Sequence, residues 1–172
     1  PNCPNFFEMT EHKYCGVKCD GCYEWVLRSI RGFGDDLFGG KRIKSWNYIN
    51  GGFQIINKSH KSFFETMKKY YSENSEKIIK TIDELKCGTD QTILNYMLHE
   101  EKVDVKLLPS CYNLQDLFRK TLLHIPEFSW IDDTLDNLLE AGWIYHFNSI
   151  PQNQENRNAN YWIKRTYEEL YK

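Results

Sequence analysis

The chain has 172 residues, which suits one domain with a sizeable core and is too short for two full catalytic domains. Apolar residues make up 41%, and 11 Tyr, 10 Phe and 5 Trp supply large buried surface per residue, which excludes intrinsic disorder. Lys and Arg (22) nearly balance Asp and Glu (24), and the net charge of -2 excludes a global basic field for holding nucleic acid or an anionic membrane.

The sequence opens on Pro1 with no basic, apolar leader, and its longest apolar stretches fall far short of the ~20 residues that cross a bilayer. The expectation is a soluble chain without a transmembrane segment. Six cysteines, at 3, 15, 19, 22, 87 and 111, would permit disulfides, but a chain this rich in core material does not need staples. A reducing, cytoplasmic setting is expected, with a membrane-associated or Golgi location left open for a longer protein.

Residues 1–24 read as turn-rich, with Phe6 and Phe7 anchoring a short helix and Tyr14 to Lys18 forming a short strand. Glu24 to Arg31 is predicted helical on Trp25, Leu27 and Ile30. Gly32, Gly34, Gly39 and Gly40 then predict a flexible loop as far as Trp46. Tyr48 to Asn57 is the best strand candidate, and its paired glycines, after Asn50, mark a place where a ligand or another backbone comes close. Two covering helices follow. Ser59 caps one carrying Phe63, Phe64, Met67, Tyr70 and Tyr71, and Ser75 caps another carrying Ile78, Ile79, Ile82 and Leu85, closed by Gly88.

Thr89 opens a third helix, with Ile93, Leu94, Met97 and Leu98 inward and Asp90 in the first turn, where the dipole favours a carboxylate. Val103, Val105 and Leu107 alternate with Asp104 and Lys106 as a strand does, and Pro109 ends it. Asp132 to Ala141 is an amphipathic helix on Leu135, Leu138 and Leu139, and Trp143 to Phe147 a last strand. Residues 148–160 read as a flexible loop before a terminal helix using Ile163, Tyr167 and Leu170. No repeat is visible, and strands alternating with helices argue for an α/β layer structure in one domain.

One candidate for chemistry is His12 with Cys15, Cys19 and Cys22. Thiolates and imidazole suit a soft metal such as zinc, and the C-x3-C-x2-C spacing resembles the cluster-binding cysteines of radical S-adenosylmethionine enzymes. The bland alternative is three unliganded thiols.

The second candidate is a series of segments in fixed order. Tyr48-Ile49-Asn50-Gly51-Gly52-Phe53 is followed by Asp90-Gln91-Thr92-Ile93-Leu94-Asn95, then by Leu108-Pro109 with Tyr112-Asn113, then by Tyr145-His146-Phe147. This order resembles the acceptor-side half of nucleotide-sugar glycosyltransferases of the GT-A fold, most closely the family 8 group that includes glycogenin, over roughly residues 1–148.

The resemblance implies a Rossmann-like mixed sheet flanked by helices, with the N-terminal strands outside this sequence. It implies transfer of a sugar from a nucleotide-diphosphate sugar to a saccharide, protein or lipid acceptor, assisted by Mn2+ or Mg2+ and without nucleic acid. By the same resemblance, Asp90 and Gln91 lie near the anomeric carbon as catalytic residues. Asn50, Gly51 and Gly52 line the donor-sugar pocket, Asn113 contributes to substrate binding, and His146 is a metal ligand. The family carries glycine and lysine after this His where this chain has Phe147-Asn148-Ser149-Ile150-Pro151; Arg157, Lys164 and Arg165 are available instead, and Arg157 is taken as the substrate-binding cation. The family's D-x-D aspartates are expected immediately upstream of Pro1, because Asp35-Asp36 in the predicted loop and Asp132-Asp133 at a helix start are not at strand ends. Retention and inversion both stay open, with Asp90 the general base in the second. A catalytically inactive domain that keeps the fold for interactions is a further alternative.

Overall fold

The computed structural model describes residues 5–19, 23–87, 90–115, 144–147 and 158–171. The chain divides into two compact units, Pro1–Pro109 and Ser110–Lys172, where length alone suggests one domain. Both combine helices with strands, as an α/β chain should.

In the first unit, α1 (Phe6–Met9) leads into β1 (Tyr14–Lys18), the middle strand of a three-stranded mixed sheet ordered β2-β1-β3. β2 (Ile49–Ile55) runs antiparallel to β1, pairing Cys15 with Ile55 and Lys18 with Ile49, with a register shift between Gly16 and Lys18. β3 (Val105–Leu108) runs parallel to β1, with Tyr14 opposite Val105 and Val17 opposite Leu108. A strand covered on both faces must be apolar throughout, and Tyr14 to Val17 are all buried.

Helix α2 (Tyr23–Leu37) is longer than the sequence suggests: it runs through Gly32 and Gly34, where a loop is expected. Both glycines are there for close packing. A Cβ on Gly32 would stand 2.3 Å from Leu85 Cδ1, and one on Gly34 would stand 2.3 Å from the Lys41 carbonyl oxygen. The chain turns afterwards, at Gly39 and Gly40, whose φ values of 60° and 81° suit residues without a side chain. Asp35 and Asp36 therefore lie on a helix. Asp35 accepts from Arg42 Nη2 at 2.6 Å, and Asp36 accepts from Thr81 Oγ1 at 2.9 Å.

The two expected covering helices are one, α3 (Lys61–Leu85), and Ser75 is not a cap. Nothing in Ser72-Glu73-Asn74-Ser75 forces a break, since it contains neither Gly nor Pro, and the Asn74 amide donates to the Tyr70 carbonyl at 2.9 Å within the helix. Lys86, in the left-handed region at φ 51°, ends it. Helix α4 (Asp90–Glu100) is buried on nearly every side from Thr92 to Leu98. Phe33 of α2, Phe63 and Ile78 of α3, and Ile93, Tyr96 and Met97 of α4 meet Tyr14, Tyr48 and Ile49 in one core.

The second unit contains a short parallel ladder between β4 (Leu114–Gln115) and β5 (Tyr145–His146), and helix α5 (Ala159–Leu170). Asn158 caps α5 by accepting from the Tyr161 amide at 3.0 Å, so the last residues of the expected 148–160 loop already belong to a helix and its cap. Its buried residues are Ala159, Trp162 and Thr166, while the expected face of Ile163, Tyr167 and Leu170 is exposed. The helix expected over Asp132 to Ala141 lies outside the described residues. Among the described residues, no helix is long and apolar enough to cross a membrane.

Core tyrosines make stability sensitive to alkali. Burial holds the Tyr14 and Tyr48 hydroxyls well above the usual tyrosine range, and burial, helped by the Asp90 carboxylate, pushes Tyr71 up to about 12. An unfolded chain gives up these protons near pH ~10, whereas the folded chain keeps them. Stability present below that pH is thus lost as pH rises toward the folded values. Urea unfolding midpoints at about pH 8 and about pH 11 should show a clear fall; equal midpoints would contradict the burial of these hydroxyls.

Candidate functional site

Two of the expected site segments, 40 residues apart, meet where β2 lies along the first turns of α4. The Gly51 amide donates to Gln91 Oε1 at 2.8 Å. One turn further along α4, Asn95 Oδ1 accepts from the Ile49 amide at 2.8 Å and its Nδ2 donates to the Ile49 carbonyl at 2.9 Å. Side chains four apart share a helix face, and backbone groups two apart share a strand edge. Gln91 and Asn95 therefore take the place of a neighbouring strand at Ile49 and Gly51.

This pairing explains the first of the paired glycines. A Cβ on Gly51 would stand 3.3 Å from Gln91 Cβ and 3.5 Å from Gln91 Cα, so the element that comes close here is α4. Asn50 is buried, and its Oδ1 accepts from the Gly52 amide at 2.9 Å, which fixes the exposed backbone of Gly52.

Gln91 is committed at both ends of its amide, since Nε2 also points to Cys19 Sγ at 3.4 Å. Cys19 in turn donates its backbone N–H to the Tyr48 carbonyl at 2.8 Å, and the Tyr48 hydroxyl shares a hydrogen bond of 2.6 Å with Thr92 Oγ1. Gln91 acts as a positioning residue in this arrangement. Asp90 differs. Its carboxylate accepts from the adjacent Gln91 amide at 2.9 Å, and the residue is exposed at the N-terminus of α4, where a negative charge is favoured. Asp90 is the group at this junction that can present a charge to a ligand.

Asn95 and Thr92 belong to the quoted Asp90-to-Asn95 segment, but sequence reasoning gives neither a role. The available signal was a polar pair at one-turn spacing, Gln91 and Asn95, on a helix otherwise apolar on that side.

In the second unit, His146 stands opposite Gln115 across the β4–β5 ladder and is half-buried. Its Nδ1 is buried and has no hydrogen-bond partner among the described residues. Asn113 is only 1% exposed, and its backbone amide closes the turn onto the Ser110 carbonyl at 2.9 Å. Arg157 lies outside the described residues. The alternative cations Lys164 and Arg165 each face a glutamate one turn on, at 3.7 Å from Glu168 and 2.6 Å from Glu169.

The cysteine cluster does not assemble among the described residues. At ~3.3 Å per residue, the four-residue step from Cys15 to Cys19 along β1 spans about 13 Å, too far for one metal ion. Both are buried, and burial raises the Cys15 thiol, which opposes the thiolate a metal needs. His12 sits in a left-handed turn at φ 61°, its carbonyl taken by the Asn57 amide, and Cys22 lies outside the described residues. No group of three His, Cys, Asp or Glu side chains placed to hold a metal exists among the described residues. Comparison of the chain with protein-family models, with curated proteins and with solved structures finds no match.

Proposed function

We propose that this chain is the acceptor-side part of a GT-A-type glycosyltransferase, similar to the family 8 group, which moves a sugar from a nucleotide-diphosphate sugar to an acceptor. The observation that carries this reading is the Gly51 amide bond to Gln91, which holds Asn50-Gly51-Gly52 against Asp90-Gln91. The resemblance requires these segments to share a pocket, and nothing in their spacing alone brings them together. A mixed sheet with one antiparallel and one parallel neighbour around β1 agrees with the same reading.

In this mechanism the Asp90 carboxylate accepts hydrogen bonds from the donor sugar's hydroxyls and fixes the face presented to the acceptor. As the anomeric carbon gains positive charge, the same carboxylate stabilises it; in an inverting course it would take the acceptor's proton. Gln91 holds the Gly51 backbone in place, and Asn50 holds Gly52, so the pocket wall needs little reorganisation. A divalent cation, when bound, neutralises the leaving diphosphate. The resemblance assigns His146, in the second unit, to such a cation; its Nδ1 is unpartnered among the described residues.

The test is a panel of nucleotide-diphosphate sugars, with and without Mn2+, applied to the intact protein and scored for a rise in melting temperature and for slow hydrolysis of the sugar. One or a few donors should protect and be hydrolysed. A protein that neither binds nor cleaves any of them, while melting cooperatively, would refute the reading.

A further inference from the structure

A cleft in the first unit, which adjoins the β2–α4 junction at Asn95 but does not include Asp90 in its lining, is built for a different kind of ligand. It lies between the C-terminal half of α4, the segment from Arg42 to Asn47, and one face of β3 with the residues before it, and its volume is about 390 Å³. That lies within the ~300–1,000 Å³ of small-molecule sites. Val103, Val105 and Leu107 alternate along the chain, so their side chains share one face and form an apolar wall, with Leu98 and Ile43 across from it. Leu107 is 41% exposed, which leaves that wall open.

The cleft lining has two cations and no carboxylate: Arg42 and Lys44 stand beside the imidazole of His99, in a chain whose net charge is -2. Arg42 is anchored by Asp35 at 2.6 Å and by the Gly40 and Lys41 carbonyls at 2.9 Å each. These bonds use three of the five guanidinium N–H groups and hold the remaining ones in a fixed direction. Lys44 has no carboxylate partner among the described residues; its ammonium sits 5.4 Å from the ring centre of the exposed Trp46. Asn47 adds an amide at the same edge.

We propose that this cleft binds a small amphipathic anion, its apolar body against Val103, Val105 and Leu107 and its carboxylate, sulfonate or phosphate at Lys44 and Arg42. The proposal is independent of the glycosyl-transfer reading. An uncharged apolar ligand would leave Lys44 without a counter-charge, and a free inorganic anion would leave the apolar wall wet.

The probe is 8-anilinonaphthalene-1-sulfonate, two apolar ring systems bearing one sulfonate. Its fluorescence should rise saturably with the natively folded protein, and decanoate should displace it where decanol does not. Lys44→Glu and Leu107→Glu change exposed side chains, so both variants should keep the wild-type melting curve while weakening probe binding about fivefold or more. No saturable binding by the wild type, equal displacement by decanol, or unchanged affinity in both variants would each overturn the proposal. So would a wild-type dimer that Leu107→Glu dissociates, since a second copy would then fill the cleft.

Discussion

Asn95→Ala should lower stability by about 2–4 kcal/mol, one of the largest losses available from a single polar side chain in this chain. The carboxamide is 5% exposed, and each of its polar groups is used. It takes the Ile49 amide, returns a bond to the Ile49 carbonyl, and gives its other hydrogen to the Gln91 carbonyl at 2.7 Å. Alanine removes all three bonds and leaves two backbone groups of a fully buried residue facing a hole. Water entering that hole would offset part of the loss, which is why the range is wide. Asn95→Asp should be nearly as damaging, because it keeps the acceptor and loses both donors while adding a buried charge. Urea unfolding of both variants checks this, and a loss below about 0.5 kcal/mol for alanine would mean that Asn95 does not clamp β2 to α4.

The second large effect is at Gly34. In an exposed helix, glycine to alanine is stabilising by roughly 0.5–1 kcal/mol. Here the sign should reverse, to a destabilisation of about 3 kcal/mol. A methyl group at Gly34 would lie 2.3 Å from a backbone carbonyl oxygen, that of Lys41, and 2.4 Å from the Tyr96 hydroxyl. Neither can step aside cheaply. The Tyr96 hydroxyl lies 2.7 Å from the Ile30 carbonyl and 2.9 Å from the Lys41 carbonyl, and the Gly34 carbonyl itself accepts the Gly40 amide at 2.8 Å. Gly32→Ala offers the internal comparison. Its new methyl would meet the side chain of Leu85, 2.3 Å away, which can change rotamer, so the cost should be smaller. A Gly34 variant as stable as the wild type, by the same urea measurement, would show that the α2 turn is looser than described.

These glycines also show where the sequence can mislead. Glycine is read as a loop signal because of its backbone freedom, but Gly32 and Gly34 are present because a helix and its neighbours leave no room for a Cβ. That reason depends on Leu85 and Tyr96, which are remote in sequence, and on the Lys41 carbonyl beyond the turn at Gly39 and Gly40. The fusion of the two covering helices into α3 has a similar origin: Ser75 can cap a helix, but capping needs a preceding break, and Glu73-Asn74 supplies none. Helix α4 was legible through the apolar run Ile93, Leu94, Met97 and Leu98, and strand β2 through its paired glycines followed by Phe53 and Ile55. The face of α5 was not. Its apolar residues offer two stripes, and only burial of Trp162 and Thr166 distinguishes the covered one.

Of the candidate site, the pairing of Asn50-Gly51-Gly52 with Asp90-Gln91 was legible through the order of segments. The division of labour was not. Gln91 and Asn50 are polar residues in a pocket-like sequence, yet their amides are spent on backbone groups of the strand, which leaves Asp90 as the exposed charge. The role of Asn95 depends on the three-dimensional match between one turn of helix and two residues of strand, which no local pattern encodes. His146 is singled out by resemblance alone, since no local pattern on a two-residue strand marks a ligand.

The most direct test of the Asp90 assignment is the rate at which the intact protein, with Mn2+, cleaves or transfers the sugar from its best nucleotide-sugar donor, compared between wild type and Asp90→Asn. The substitution keeps the size of an exposed side chain and its amide-accepting oxygen and loses only the charge at the helix N-terminus, so stability should fall by no more than about 1 kcal/mol. The account predicts a fall in rate of about a hundredfold or more with the donor still protecting against melting. Wild-type turnover by Asp90→Asn would contradict it.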